Sequence, residues 1–250
     1  MSAHYDKFDY PTYWIGREYE HKAEVIAIAS FLSKIKNINT LLEVGAGYGR
    51  LTPTYLHRAK KIFLSDPSSK LLSAARKSFQ IKKIKFLHCS LQNLFANLNR
   101  KRVDVLIMVR VSHHLIDINK SFRDVFNLLN PKGYLILEFP NKIHWKSVMK
   151  ELSKGNFTVF YDIFPKDIRS KSSIKKKSIQ FNNFHPGYIL EHLRESGFEI
   201  LEVRSVSNIR NTFLKKHIPF NILCQIEGHL QYILSHVYFG PSTFVLARKI

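Results

Sequence analysis

Two cysteines, Cys89 and Cys224, are all the thiol chemistry this sequence of 250 residues has. Isolated as they are, they exclude both a disulfide framework and a zinc cluster of the CxxC type, and each reads as a core or near-core residue. Acidic side chains are scarce as well: 19 Asp and Glu stand against 39 Lys and Arg, a formal charge of +20. Long apolar runs are missing, since no stretch approaches the run of about 18 apolar residues that a membrane span needs. The opening residues MSAHYDKFDYPTYW contain neither a basic start before an apolar segment nor a small-residue cleavage site, so the expectation is a cytoplasmic chain with no membrane span. No internal repeat and no low-complexity linker breaks the sequence.

What is present suits a globular protein. Hydrophobic residues make up 45%, charged residues 23% and aromatics 13%, enough for one sizeable core, so residues 1–250 are expected to form a single domain. The positive excess sets up a field that draws any polyanion, nucleic acid or an anionic membrane surface alike. Most of that excess is Lys scattered along the whole chain, with one local run in SSIKKKS, which predicts only weak, strongly salt-sensitive and sequence-independent binding of nucleic acid.

From residue 40 to 140, short β-branched runs alternate with longer amphipathic stretches, the pattern of βα units in a doubly wound α/β fold. Strands are expected near Thr40–Val44, Lys61–Ser65, Lys83–His88, Val103–Val109 and Gly133–Phe139. Helices are expected over Arg50–Arg58, over Pro67–Phe79 with Pro in the first turn, and over Ile118–Leu129, the last closed by Asn130-Pro131-Lys132-Gly133. Ahead of this core, residues 1–36 supply an aromatic arm and a helix from Tyr19 to Lys34. After it, residues 141–185 lose the period and read as a lid insertion. Residues 186–250 return to order, with a helix ended by Gly197, a sixth strand in FEILEVRSV, a last strand in PSTFVLARKI, and a helical insertion over 211–238 broken at Pro219.

The strongest constellation is Leu41-Leu42-Glu43-Val44-Gly45-Ala46-Gly47-Tyr48-Gly49-Arg50, a buried strand running into a glycine turn and a helix. Glycines let a ligand approach the main chain with no Cβ in the way. A dinucleotide fingerprint needs its third Gly at position 50, where this chain has Arg. The spacing G-x-G-x-G suits instead an adenosine carrying an amino-acid tail. Asp66, in Ser65-Asp66-Pro67 at the next strand end, lies about twenty residues on, where a carboxylate accepts both ribose hydroxyls.

On these residues the chain resembles the class I S-adenosylmethionine-dependent methyltransferases from Tyr19 to Ile250. The resemblance implies a three-layer αβα sandwich around a seven-stranded, mostly parallel sheet with its last strand antiparallel, and S-adenosyl-L-methionine as cofactor. It implies cofactor contacts from Glu43, Gly45, Ala46, Gly47, Tyr48 and Gly49, from Asp66 and Pro67, and from Ser90 and Leu91 beside Cys89 at the adenine. The fourth-strand motif runs from Met108 through Arg110 to Leu115 and meets the methionine end. Many relatives have an Asp where Cys89-Ser90 stands, so the adenine N6 contact falls here to Ser90 or a backbone group.

Methyl transfer from a sulfonium is an in-line displacement with a neutral leaving group, so orientation matters most, and a base is needed only where the acceptor loses a proton. His113 and His114, after the fourth strand, are candidate catalytic bases, with Glu138 a further one. Arg17, in the aromatic arm Tyr10 to Glu20, is expected to pair with the methionine carboxylate, and Tyr13 or Trp14 to face the sulfonium. The N/D-P-P-Y/F motif of amino-methylating enzymes is absent, and neither Cys follows Pro as in cytosine C5 enzymes. The aromatics of the two insertions, among them Trp145, Phe157, Phe160, Phe164 and Phe213, are expected to enclose a small, partly apolar organic acceptor. Lys166, Arg169, Lys171, Lys175, Lys176 and Lys177 of the same region fit the alternative, an RNA methyltransferase. A non-catalytic S-adenosylmethionine-binding protein is the third reading.

Overall fold

The computed structural model describes residues 12–175 and 178–250; Tyr10, Pro11, Lys176 and Lys177 lie outside the described residues. Nine strands are present among them: β1 (Ile38–Val44), β2 (Ala59–Asp66), β3 (Ile84–His88), β4 (Val103–Met108), β5 (Leu129–Pro140), β6 (Lys166–Asp167), β7 (Asn182–Asn183), β8 (Phe198–Val206) and β9 (Ser242–Lys249). Seven form one sheet in the order β3-β2-β1-β4-β5-β9-β8, while β6 and β7 make a separate two-stranded ribbon. Only β9 runs against its neighbours, pairing antiparallel with both β5 and β8.

Helices cover both faces of this sheet, because successive strand residues point to opposite sides. Leu41, Val105, Ile107 and Ile136 pack beneath α1 (Glu18–Ser33) and α2 (Thr52–Tyr55). Leu42, Leu106, Met108 and Leu137 pack on the other side, against Phe122, Val125 and Leu128 of α5 (Ile118–Leu128) and Ile189 and Leu193 of α8 (Pro186–Glu195). Between them in the chain lie α3 (Ser69–Ser78), α4 (Leu94–Asn97), α6 (Trp145–Leu152) and α7 (Lys171–Lys175); α9 (Thr212–His217) and α10 (Phe220–Ile233) follow α8. None of the described helices is long and apolar enough to cross a membrane.

Three local expectations are corrected. The helix over Arg50–Arg58 shrinks to the single turn of α2, where Tyr55 turns fully inward to reach the buried Glu43. Pro67 stays outside α3, whose N-cap is Ser68, its hydroxyl accepting from the Leu71 amide at 3.2 Å. Asn130-Pro131-Lys132-Gly133 is no closing turn, because β5 begins at Leu129 and runs through it with a register shift opposite Val103 and Val105 and Lys132 at φ 60°.

The sheet's carboxyl edge carries the two long insertions. One follows β5 over residues 141–183 and the other follows β8 over 207–241; since β5 and β8 both oppose β9, both insertions leave from the same edge. They touch there: the Asn141 amide donates to Pro241 O at 2.8 Å, its side chain to Gly240 O at 2.8 Å, and the Trp145 ring stacks on Phe239 at 5.6 Å.

Candidate active site

Four loops, at the carboxyl ends of β1, β2, β3 and β4, enclose a cavity of about 370 Å³, inside the range of about 300–1,000 Å³ found for small-molecule sites. The loop after β1 turns through Gly45, Gly47 and Gly49 at φ 71°, 55° and 83°, and Gly45 and Gly47 line the cavity. The first and third glycines are demanded by packing: a Cβ on Gly45 would lie 2.3 Å from Val111 Cγ2, and one on Gly49 would lie 2.6 Å from Phe79 Cε2. Gly47 differs, for a Cβ there would meet only Leu71 Cδ1 at 3.9 Å, which leaves its main chain open to the cavity.

Asp66 ties the glycine turn to the end of β2. Its Oδ2 accepts from the Gly47 amide at 2.8 Å and its Oδ1 from the Ser68 amide at 2.7 Å, with the side chain at the cavity wall. Glu43 sits beneath, accepting from the Tyr55 hydroxyl; burial pushes its carboxyl up to about 7 against the pull of that hydrogen bond. Across the cavity, the chain after β4 carries Arg110 in the left-handed region at φ 59°, an uncommon posture for a side-chain-bearing residue. Two buried carboxylates hold it there: Glu138 accepts the Arg110 amide at 2.7 Å, and Glu24 of α1 accepts Arg110 Nε at 2.7 Å. The other oxygen of Glu24 takes Arg50 Nη2 at 2.5 Å. Trp14 closes this group, with the Arg50 guanidinium 3.6 Å and that of Arg110 4.7 Å from its ring.

Apolar side chains complete the wall, Leu71, Leu91, Val109, Val111, Leu115 and Ile179 among them. His114 reaches the cavity and is anchored at Nδ1, which donates to Gln180 O at 2.8 Å, since a carbonyl can only accept. His113 lies behind it, 6% exposed and stacked on Phe181 at 4.1 Å; burial, then the neighbouring His114 and Arg110, hold it well below the usual histidine range.

Residues 42–137 match the sequence profile described as a methyltransferase domain. The fold is that of the class I methyltransferases, and the match to a methyltransferase domain spans residues 42–137. No curated protein sequence matches it. Among solved structures, an S-adenosylmethionine-dependent methyltransferase from Mesorhizobium loti is 17% identical, with 91% of this chain and 98% of that one covered at a TM-score of 0.61. The methyltransferase in a Haloferax volcanii complex with the Trm112 methyltransferase activator is 12% identical, with 99% and 98% covered and a TM-score of 0.64. Magnesium protoporphyrin IX methyltransferase from Synechocystis, solved with bound SAH, is 17% identical, with 92% and 84% covered and a TM-score of 0.57. At these identities the likeness is one of fold, and the sheet order of this chain agrees with it.

The fold brings eleven of the fourteen site residues expected from sequence to one cavity: Glu43, Gly45, Ala46, Gly47 and Tyr48 from the first loop, then Asp66, Pro67, Ser90, Leu91, Arg110 and His114. Gly49, His113 and Arg17 are not on its wall. Arg17 is exposed, its guanidinium 4.1 Å from the Tyr13 ring, and the cations at the cavity are Arg50 and Arg110. Trp14 is a platform for those two arginines. Sequence reasoning missed Glu24, whose burial on α1 is visible only as an acid on an otherwise apolar helix face. Among the described residues the expected aromatic enclosure is also absent: Phe157, Phe160, Phe164 and Phe213 point to solvent, and only Ile179 of the two insertions' described residues lines the cavity.

Proposed function

We propose that this methyltransferase binds S-adenosyl-L-methionine in the cavity and transfers its methyl group to a small, partly apolar organic acceptor. The observation that carries the reading is the pairing of Asp66 with the open Gly47 main chain on one wall, opposite the two arginines on the other. An adenosine with a charged amino-acid tail needs both: acceptors for ribose hydroxyls and a cation for a carboxylate. Asp66 would take the ribose, Cys89, Ser90 and Leu91 would flank the adenine, and Arg110 or Arg50 would face the carboxylate in place of Arg17. When bound, the cofactor supplies a methyl group on a sulfonium.

The chain's own residues then do three things. Leu115, Val111 and Ile179 exclude water from the acceptor side, the two arginines orient the tail, and His114 Nε2 takes a proton from an acceptor that must lose one. His113, kept neutral by burial and stacked on Phe181, holds the ring of His114, which meets both rings edge to face. The apolar walls support an organic acceptor, and the whole chain, residues 1–250, is read as one domain.

Calorimetry tests the first half: S-adenosylmethionine should bind more tightly than NAD, and Asp66→Ala should weaken it by about 2–4 kcal/mol through lost charge-assisted hydrogen bonds. Transfer of labelled methyl groups tests the second half. Label entering purified RNA at physiological salt, and none entering small organic acceptors, sinks the small-molecule reading in favour of RNA methylation.

A further inference from the structure

The apolar surface of this protein is distributed very unevenly. Seventeen of the twenty-two large hydrophobic side chains exposed among the described residues belong to the two insertions at the carboxyl edge. In the first insertion Phe157 is 73% exposed, Tyr161 84% and Phe164 69%. In the second, the inward face of α10 buries Glu227 and Gln231 beside Leu223 and Cys224, while Ile222, Ile226 and Ile233 form an outward apolar stripe at helical spacing. The two insertions meet at Asn141 and Trp145, and monomeric proteins rarely leave large apolar patches to water.

We infer that this cap is a docking surface for an anionic lipid bilayer. Charge decides the occupant. The three acidic residues among 142–175 are all neutralised locally, Glu151 by Lys154 and Lys166, Asp162 by Lys142, and Asp167 by Arg169. Lys146, Lys150, Lys171 and Lys175 are exposed with no ion pair among the described residues, and Lys216 and Arg210 play the same part in the second insertion. Phe, Tyr and Trp beside lysines are the composition of interfacial segments, with apolar side chains entering the headgroup boundary and cations meeting anionic lipid. An RNA would use the lysines and stack on the rings, but Met149, Ile163, Ile168 and Ile174, all exposed, offer a nucleic acid nothing. A second copy of a chain at +20 would bring like charges together at the same patch. Because the insertions leave the sheet at the edge that holds the cavity, docking would set the cavity's side of the molecule toward the lipid. The docking itself is independent of the methyl-transfer reading.

The test is co-sedimentation of the full chain, without cofactor, with vesicles of phosphatidylcholine alone and of phosphatidylcholine with phosphatidylserine, at about 0.1 M salt. Binding is expected to the anionic vesicles and not to the neutral ones, together with a blue shift in tryptophan emission, since Trp145 is 41% exposed while Trp14 is buried. The triple variant Phe157→Ser, Tyr161→Ser, Phe164→Ser should abolish the blue shift and weaken partitioning at least tenfold. Lys146→Glu with Lys150→Glu should also weaken it at least tenfold, since each cation near such a surface is worth about fivefold. Both variants alter exposed side chains and should keep the wild-type melting temperature, which separates lost docking from lost folding. Equal sedimentation with and without anionic vesicles overturns the proposal. So does binding that the aromatic variant leaves unchanged, or a single-stranded RNA that displaces the chain from vesicles and loses affinity on the same aromatic substitutions.

Discussion

Replacing Glu24 by Gln tests the two-arginine wall of the cavity. Glu24 is 1% exposed and divides its oxygens between guanidinia, Oε2 to Arg50 at 2.5 Å and Oε1 to Arg110 at 2.6 and 2.7 Å. Burial pushes its carboxyl up, but Arg110 and Arg50 outweigh burial and hold it below the usual carboxylate range. The amide keeps the shape and removes the counter-charge from two cations pressed against Trp14. Breaking a buried pair costs about 3–5 kcal/mol. Because the Arg50 and Arg110 side chains keep 11% and 25% exposure, the lower end applies, about 3 kcal/mol. At about 2–4 °C per kcal/mol for a chain of this size, Tm should fall by about 6–12 °C. Thermal unfolding measures this, and a cycle with Arg50→Leu isolates the pair, with a coupling of at least about 1 kcal/mol expected. A carboxyl whose pKa is depressed on folding stabilises fully above its unfolded value and loses that contribution as pH falls through the folded one. The gap between wild type and variant should therefore be flat near neutrality and narrow in acid. A Tm change within about 2 °C at neutral pH, or a gap that widens in acid, refutes the reasoning.

Gly47→Ala should fold with a loss of about 1–2 kcal/mol for its left-handed backbone yet bind S-adenosylmethionine poorly, whereas Gly45→Ala, driven into Val111, should lose more stability; denaturant titration beside calorimetry separates the two. Glu43, raised by burial to about 7, binds its proton more tightly folded than unfolded, so its contribution is greatest below the ordinary value of 4.5 and is lost as pH rises toward 7. Glu43→Gln should flatten that part of the Tm–pH curve, and a wild-type Tm that climbs more steeply than the variant's across the same window would contradict the assignment. With an acceptor that loses a proton, His114→Gln should slow turnover about 100-fold or more while leaving cofactor affinity nearly intact, and His113→Phe should cost less; equal, small effects in steady-state kinetics would remove histidine from the chemistry.

The strands, the glycine turn and Asp66 were legible because their signals are local. A β-branched run, a G-x-G-x-G spacing and an acid at the next strand end each depend on neighbours within a few positions, and all landed within a residue or two of their expected places except the start of β5, which lies four residues ahead of Gly133. The antiparallel run of β9 came from family resemblance, and its place between β5 and β8 came only from the structure, since no local feature of PSTFVLARKI states which strand it will pair with.

What tertiary structure decided was which side chains meet. Glu24 stands 26 residues from Arg50 and 86 from Arg110, and nothing in the spacing joins them; the join exists because α1 packs on the sheet face from which both loops emerge. Arg17 and Arg50 are equally basic in sequence, but a one-turn helix and a stacked Trp14 put one on the cavity and leave the other in solvent. His113 and His114 are adjacent, yet successive residues of a tight turn diverge, so one is buried against Phe181 and the other reaches the cavity. The cap's aromatics were expected to face inward because apolar residues usually do. The interior beneath them is already filled by Phe139, Phe184 and Phe244, and volume, which sequence does not express, left the rest outside.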